Sequence, residues 1–493
     1  MTFRHDANAC LCALAVSLSG CSGGDNAASE RVASPPSALA ALLDEADRAM
    51  AAGQTADARG VIDEAVDLAP DDPAVWVAMA RLRLRAGENV TALKAADRAL
   101  ELGPDHPPAL LLRALMVRDA HGHPAAVPWF RAALTADPFY VDAWAEYAAT
   151  LGDGGEAGAM LEAVRRLAEI APDDARVPYL QAVLAARGGK YPLARSLLSR
   201  SGLAERGVPA ALQLDAIINL AEGNADSATA ILERLCARQP ANARLRELLA
   251  KALFDAGRVD ELVGRFGLDA KRLEASPYLV MLVARAQEQR GDRASASPLL
   301  DRATRGASKG PVVLAPREGL PTPTTTIRAA GFAHNWAKAS AEAKTLSARF
   351  PASADVAALA GDAALGAGNP QRALSAYGIA LQVKRPWPLT RKVALAYTKA
   401  GEIAASDALL ARHAAGEHNN ASALISLAER LSQSGDWERA ASLLDHAIAM
   451  GAGHDPVLLG LRFRAAQAKE QEGEARRFAA LLAEIRPSPI VQR

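Results

Sequence analysis

The chain has 493 residues, half of them apolar and 23% charged, with 56 basic and 56 acidic side chains that cancel. That length exceeds what one hydrophobic core can hold, and the absence of net charge removes any bulk electrostatic attraction to nucleic acid. Aromatic residues make up only 4%, and a composition dominated by alanine, leucine and arginine, sparse in β-branched residues, favours helix.

In chain order, the first element joins a short polar start with Arg4 to an apolar run from Ala9 to Leu18. The run is too short to span a bilayer and fits the core of a secretory signal. It ends in Leu18-Ser19-Gly20-Cys21, which resembles the lipobox of bacterial lipoproteins. The resemblance implies a signal peptide over 1–20, cleavage before Cys21, and lipid on the Cys21 thiol and on the new amine. Two or more acyl chains anchor durably. Ser22, standing where an aspartate favours inner-membrane retention, implies sorting to the periplasmic face of the outer membrane. Residues 21–37, small, polar and proline-containing, read as a flexible tether. With Cys10 and Cys12 inside the signal, Cys236 is the remaining thiol, so no intramolecular disulfide is expected. Its apolar setting, ILERLCARQP, predicts burial.

From residue 38 onward the chain repeats. Pro70 returns as Pro104, Pro138, Pro172 and Pro240, in steps of 34 or 68. Glycine keeps the same beat in another phase at Gly53, Gly87, Gly155, Gly189, Gly223, Gly257 and Gly291; at the one missing beat, in His121-Gly122-His123, it comes one residue late. Alanine holds further phases, including Ala58, Ala92, Ala126, Ala194, Ala228 and Ala296, and Ala65, Ala99 and Ala133. Fixed self-similarity at this period marks a stacked repeat. Trp76 and Trp144, then Ala126-x3-Phe130 and Pro138, resemble the tetratricopeptide repeat. The resemblance implies an all-α, right-handed superhelical solenoid of about 12–13 helix–turn–helix units, each an antiparallel pair of helices A and B. Proline ends helix B, glycine ends helix A, and alanine lets the two approach closely.

The pattern gives an N-terminal array over 38–305, a break over 306–326 that carries four prolines, a C-terminal array and cap over 327–486, and a tail over 487–493. The break reads as a degenerate unit that has lost its helix A, with a long docking loop as the alternative. Residues 456–485 read as a charged helical pair that caps the stack.

No motif for nucleophilic, phosphate-binding or metal-dependent catalysis is present, so no enzyme activity, cofactor or metal is expected. The histidines His121, His123, His413 and His418 read as solvated turn residues, and the paired carboxylates Asp44-Glu45 and Asp71-Asp72 as residues at helix starts. The family resemblance places binding on the inner face, lined by helices A. It picks out Arg81, Arg85, Arg118, Tyr179, Arg187, Arg244, Lys251, Phe254, Tyr278 and Arg285. A lysine–asparagine carboxylate clamp is absent, since Val77, Arg81, Leu111 and Leu115 hold its positions. The expected function is a non-enzymatic, lipid-anchored scaffold that holds a protein or peptide of an envelope assembly or export complex, with exopolysaccharide export as one role the resemblance suggests. Direct binding of a carbohydrate polymer or cell wall, or non-catalytic activation of an envelope enzyme, are the alternatives.

Overall fold

The computed structural model describes residues 38–240, 242–272, 275–305 and 322–485. Cys21, the segments 1–20 and 21–37, the tail 487–493 and residues 306–321 of the break lie outside the described residues. Within them the chain forms twenty-six α-helices and no strand. None is long and apolar enough to cross a membrane.

The helices pair into thirteen units. Units 1 to 4 are α1 (Ala38–Ala51) with α2 (Thr55–Leu68), α3 (Pro73–Arg85) with α4 (Asn89–Leu102), α5 (Pro107–His121) with α6 (His123–Ala136), and α7 (Val141–Asp153) with α8 (Ala157–Ile170). Units 5 to 8 are α9 (Arg176–Arg187) with α10 (Tyr191–Ser201), α11 (Pro209–Ala221) with α12 (Ala225–Arg238), α13 (Ala243–Asp255) with α14 (Val259–Ala270), and α15 (Pro277–Gln289) with α16 (Arg293–Arg305). Units 9 to 11 are α17 (Thr325–Phe332) with α18 (Trp336–Arg349), α19 (Ala354–Gly366) with α20 (Pro370–Leu381), and α21 (Trp387–Lys399) with α22 (Ile403–Gly416). Units 12 and 13 are α23 (Ala421–Gln433) with α24 (Trp437–Ala447), and α25 (Pro456–Ala468) with α26 (Glu472–Ile485). The expected all-α solenoid is therefore present.

Each sequence column has its physical counterpart. Pro70, Pro104, Pro138, Pro172 and Pro240 sit in the turns after helix B, where a missing N–H costs nothing. The alanines Ala58, Ala92, Ala126, Ala194, Ala228 and Ala373 are fully buried between A and B, and a larger side chain there would force the helices apart. Phe130, also fully buried, fills the space these alanines leave in unit 3. Asp72 caps α3 by accepting from the Ala74 N–H at 2.8 Å, and Asn242, Ser276 and Ser353 do the same for their helices. Asp44 and Glu45, in contrast, lie in the middle of α1 rather than at its start.

Helices A of neighbouring units lie against one another, as α1 with α3, α3 with α5, α7 with α9 and α19 with α21 do, so they form the inner layer. Helices B face outward. Most A/B connections are three residues with a left-handed glycine in the middle, such as Gly87 at φ +73°, a conformation other residues adopt at a cost of about 1–2 kcal/mol. Units 9 and 13 keep that conformation without glycine, at His334 (φ +56°) and Glu470 (φ +55°).

Three expectations need correction. Residues 322–326, assigned to the break, are helical: Thr322–Thr324 forms a 3-10 turn and α17 starts at Thr325. Unit 9 thus keeps a helix A, shortened to 8 residues. Cys236 is half-buried rather than enclosed, because it packs at the edge of the core of units 6 to 8.

The solenoid also returns over its own beginning. The Val90 N–H donates to the Ala352 carbonyl at 3.1 Å, and the Ala354 N–H to Asn89 Oδ1 at 3.2 Å. One unit on, the Arg385 N–H donates to the Asp119 carbonyl at 2.8 Å, and its guanidinium to the His121 carbonyl at 3.3 Å. One further, Asn419 Nδ2 donates to the Asp153 carbonyl at 2.8 Å. These rungs join residues 262 to 266 apart, close to eight repeats. A/B turns of units 2, 3 and 4 therefore meet the seams that follow units 9, 10 and 11. Gly122 belongs to this contact. It alone links α5 to α6, and it lies against the backbone of Gly416.

Candidate functional site

The inner layer is the candidate site, and its side chains divide by what they touch. Arg85, at the end of α3, donates to the Met50 carbonyl at the end of α1. Arg187, at the end of α9, donates to the Gly152 carbonyl of α7. Both links span 35 residues, one repeat and one step. The last carbonyls of a helix lack intrahelical partners and carry the negative end of its dipole, so these guanidiniums cap the preceding unit. Arg187 also lies 3.8 Å from Asp153. Arg118 donates to Glu146 at 3.0 Å and to Thr150 at 3.1 Å across to α7. Burial pushes the Glu146 carboxyl up even beside that guanidinium.

Tyr179 is 2% exposed and belongs to the core of units 3 to 6, so no guest touches it. Its position in the helix A pattern placed it on the inner face; the chain rotates it into the core instead. Arg81 lies 3.9 Å from Asp47, Arg244 3.6 Å from Glu247, and Lys251 2.8 Å from Asp255. Phe254 packs part-buried on the same helix as Lys251. These four are the predicted residues that remain presented on the inner layer of units 2 and 7, screened by acids rather than forming a basic stripe.

Tyr278 and Arg285 are covered by the chain itself. The Tyr278 ring stands edge-on to His454 at 4.6 Å, and Arg285 donates to the Glu484 carbonyl at the end of α26 while holding Glu288 at 2.5 Å. Helix α25 lies against α15 and α16.

Groups suited to chemistry do occur. Thr390 Oγ1 is 2.9 Å from His413 Nδ1, and His413 Nε2 is 3.2 Å from Glu417. This hydroxyl–imidazole–carboxylate chain has the composition of an activated nucleophile. Thr390 and His413 are both 0% exposed, so the chain packs α21 against α22 and no substrate reaches it. His413 is thus a core residue, not the solvated turn residue expected. His123, at the start of α6, is half-buried where units 3 and 4 meet the seam after unit 11, and desolvation there drops its imidazole to about 4. A second buried network joins Asp362 to Lys392 at 2.7 Å and to Tyr377 at 2.8 Å. Among the described residues no group of three His, Cys, Asp or Glu side chains is placed to hold a metal ion.

On the outer side, α2, α3 and α4 enclose an open hollow of about 520 Å³ lined by Val66, Trp76, Met79, Arg83 and Lys94. Trp76 donates its indole N–H to the Pro70 carbonyl at 2.7 Å, and Trp144 repeats the bond to Pro138 at 2.9 Å. The sequence signalled these two tryptophans by their column. It carried no signal for the rungs between distant units or for the covering of α15, because neither follows the 34-residue period.

Sequence profiles of the tetratricopeptide repeat match residues 43–107, 77–141, 219–261, 324–388 and 423–456. No curated protein matches the chain. Among solved structures, a tetratricopeptide repeat protein from Parabacteroides merdae is 15% identical, with 55% of this chain and 93% of that one covered and a TM-score of 0.26. The type IV pilus biogenesis factor PilW is 20% identical over 43% of this chain and 99% of its own, with a TM-score of 0.34. Yeast Tom70 is 14% identical over 91% and 99%, with a TM-score of 0.33. By the matched segments, and by helix pairs of like length and turn through the other described units, the chain carries tetratricopeptide repeats.

Proposed function

We propose that the protein is a non-catalytic, lipid-anchored scaffold whose inner face holds a protein or peptide of an envelope assembly or export complex, exopolysaccharide export among them. Tetratricopeptide repeats generally bind protein or peptide partners. The observation that carries the reading is the inner layer, where Arg81 on α3 of unit 2 and Arg244, Lys251 and Phe254 on α13 of unit 7 supply charge, hydrogen-bond donors and an aromatic ring from two inner helices. Such a surface suits an extended or helical segment laid along several units. Anchoring rests on the Leu18-Ser19-Gly20-Cys21 pattern.

Two measurements test the two halves separately. Cys21→Ser is expected to abolish incorporation of labelled fatty acid and release the protein from membranes; unchanged labelling refutes the anchor. Photocrosslinking in cells from positions 81 and 254, with position 161 on outer helix α8 as control, is expected to capture one recurring protein from the inner positions. Capture from position 161 alone refutes the groove.

A further inference from the structure

Among the described residues, the rungs between distant units run from unit 2 to unit 4. Continued at the same separation, the A/B turn of unit 5 would meet the seam before α25. That seam instead holds a π turn over Ile448–Ala452 with Gly451 at φ +97°, and the last unit beyond it lies against α15 and α16. The end of the α25–α26 hairpin then abuts the inner face. His454, just before α25, meets Tyr278, and the last turn of α26 offers its Glu484 carbonyl to Arg285. The two contacts are compatible because α25 starts and α26 finishes at the same end of an antiparallel pair. Tyr278 and Arg285 lie seven residues apart on α15, about 10 Å of helix.

This contact joins units that are not consecutive along the stack. The apolar cluster of units 12 and 13, with Leu444, Leu458 and Phe478, remains separate from that of units 6 to 8, with Leu248, Leu279 and Leu282. No shared core spans the junction. Apolar burial is what makes an interface permanent, whereas a guanidinium–carbonyl bond and a ring contact at the edge of water exchange readily for equivalents.

We propose that the last unit is a built-in occupant of the inner face at α15, and that a protein guest reaches Tyr278 and Arg285 by displacing it. The displacing guest presents the same pair of groups: a helix C-terminal turn bearing carbonyl or carboxylate oxygens for Arg285, and an aromatic ring about 10 Å away for Tyr278. The inference rests on the inner face being the binding surface.

The test uses the purified full chain with Cys21→Ser. A photocrosslinker at position 278 is expected to join intramolecularly to residues 450–485, and His454→Ala with Glu484→Pro is expected to cut that yield at least fivefold. A fluorescent peptide of residues 453–485 is then added in trans. Binding at least tenfold tighter to the His454→Ala/Glu484→Pro chain than to the parent is expected, with loss of that gain on adding Arg285→Ala. A crosslink elsewhere, an unchanged yield, equal affinities or no binding to either chain overturns the proposal. Melting curves that match the parent show that the variants remain folded. Because the peptide is the chain's own, the result is independent of crosslinks in cells from position 254, which test the groove itself.

Discussion

Gly122→Ala tests the closure of the solenoid on itself. The perturbation has two parts. Gly122 holds φ +92° and ψ 175°, a region essentially restricted to glycine, and an alanine there costs about 1–3 kcal/mol. A Cβ would also stand 2.6 Å from the Gly416 carbonyl carbon and 2.7 Å from its Cα, with the carbonyl oxygen nearer still. These are backbone atoms and cannot rotate away, so the contact opens or the backbone shifts, at a further cost of about 1–3 kcal/mol. Gly87→Ala is the control: φ is +73° and no atom lies within 4 Å of the added Cβ, so only the backbone cost of about 1–2 kcal/mol applies. Urea unfolding followed by circular dichroism measures both. Hydrogen exchange then reports whether amides around residues 385 and 417–420 lose protection in Gly122→Ala and not in Gly87→Ala. Equal destabilisation by the two substitutions, or unchanged exchange in the second turn, would refute the packing argument.

Acidification acts at the same contact. His123 faces Asp153 at 4.0 Å, with Glu417, His418, Arg118 and Arg187 around it. Its imidazole titrates near 4 when folded, against 6.5 for the free group. The unfolded chain therefore binds the proton first, and stability is lost as pH falls from 6.5 toward 4, by up to about 3 kcal/mol. His123→Gln flattens that part of the stability–pH curve; an identical curve refutes the assignment. Lys392→Ala strands the Asp362 carboxylate, which is 2% exposed, and is expected to destabilise by about 3–5 kcal/mol. Adding Asp362→Asn recovers part of that loss, and a denaturation midpoint unmoved by Lys392→Ala contradicts the network. Glu470→Gly removes a left-handed glutamate and is expected to stabilise the last unit by about 1 kcal/mol, read as slower exchange in α26; faster exchange counts against it.

Much of the fold was legible because a repeat states its local rules several times over. Pro70 and its successors mark the seams, Gly87 and its successors the A/B turns, and Ala92 and its successors the close approaches. Exceptions were legible only as exceptions. Gly122, one residue late, was visible in the sequence, but its reason is a contact with Gly416 close to three hundred residues on. His334 and Glu470 hide two turns of the glycine column, because backbone conformation is set by the turn and only favoured by the residue.

The candidate site was less readable. Helix periodicity assigns a residue to a face, yet Arg85 and Arg187, on the expected face, turn along the stack to the carbonyls of the preceding helix. Tyr179 rotates into the core, while Tyr278 and Arg285 meet the last unit. The sequence by itself determined the architecture of each unit, since helix, turn and A/B packing depend on residues within one 34-residue period. Only the tertiary structure decided where one superhelical turn rests on the next and which stretch of inner face the chain keeps for itself. Those contacts join segments five to eight units apart, and their geometry accumulates from the small rotation at every intervening seam, which no single repeat encodes.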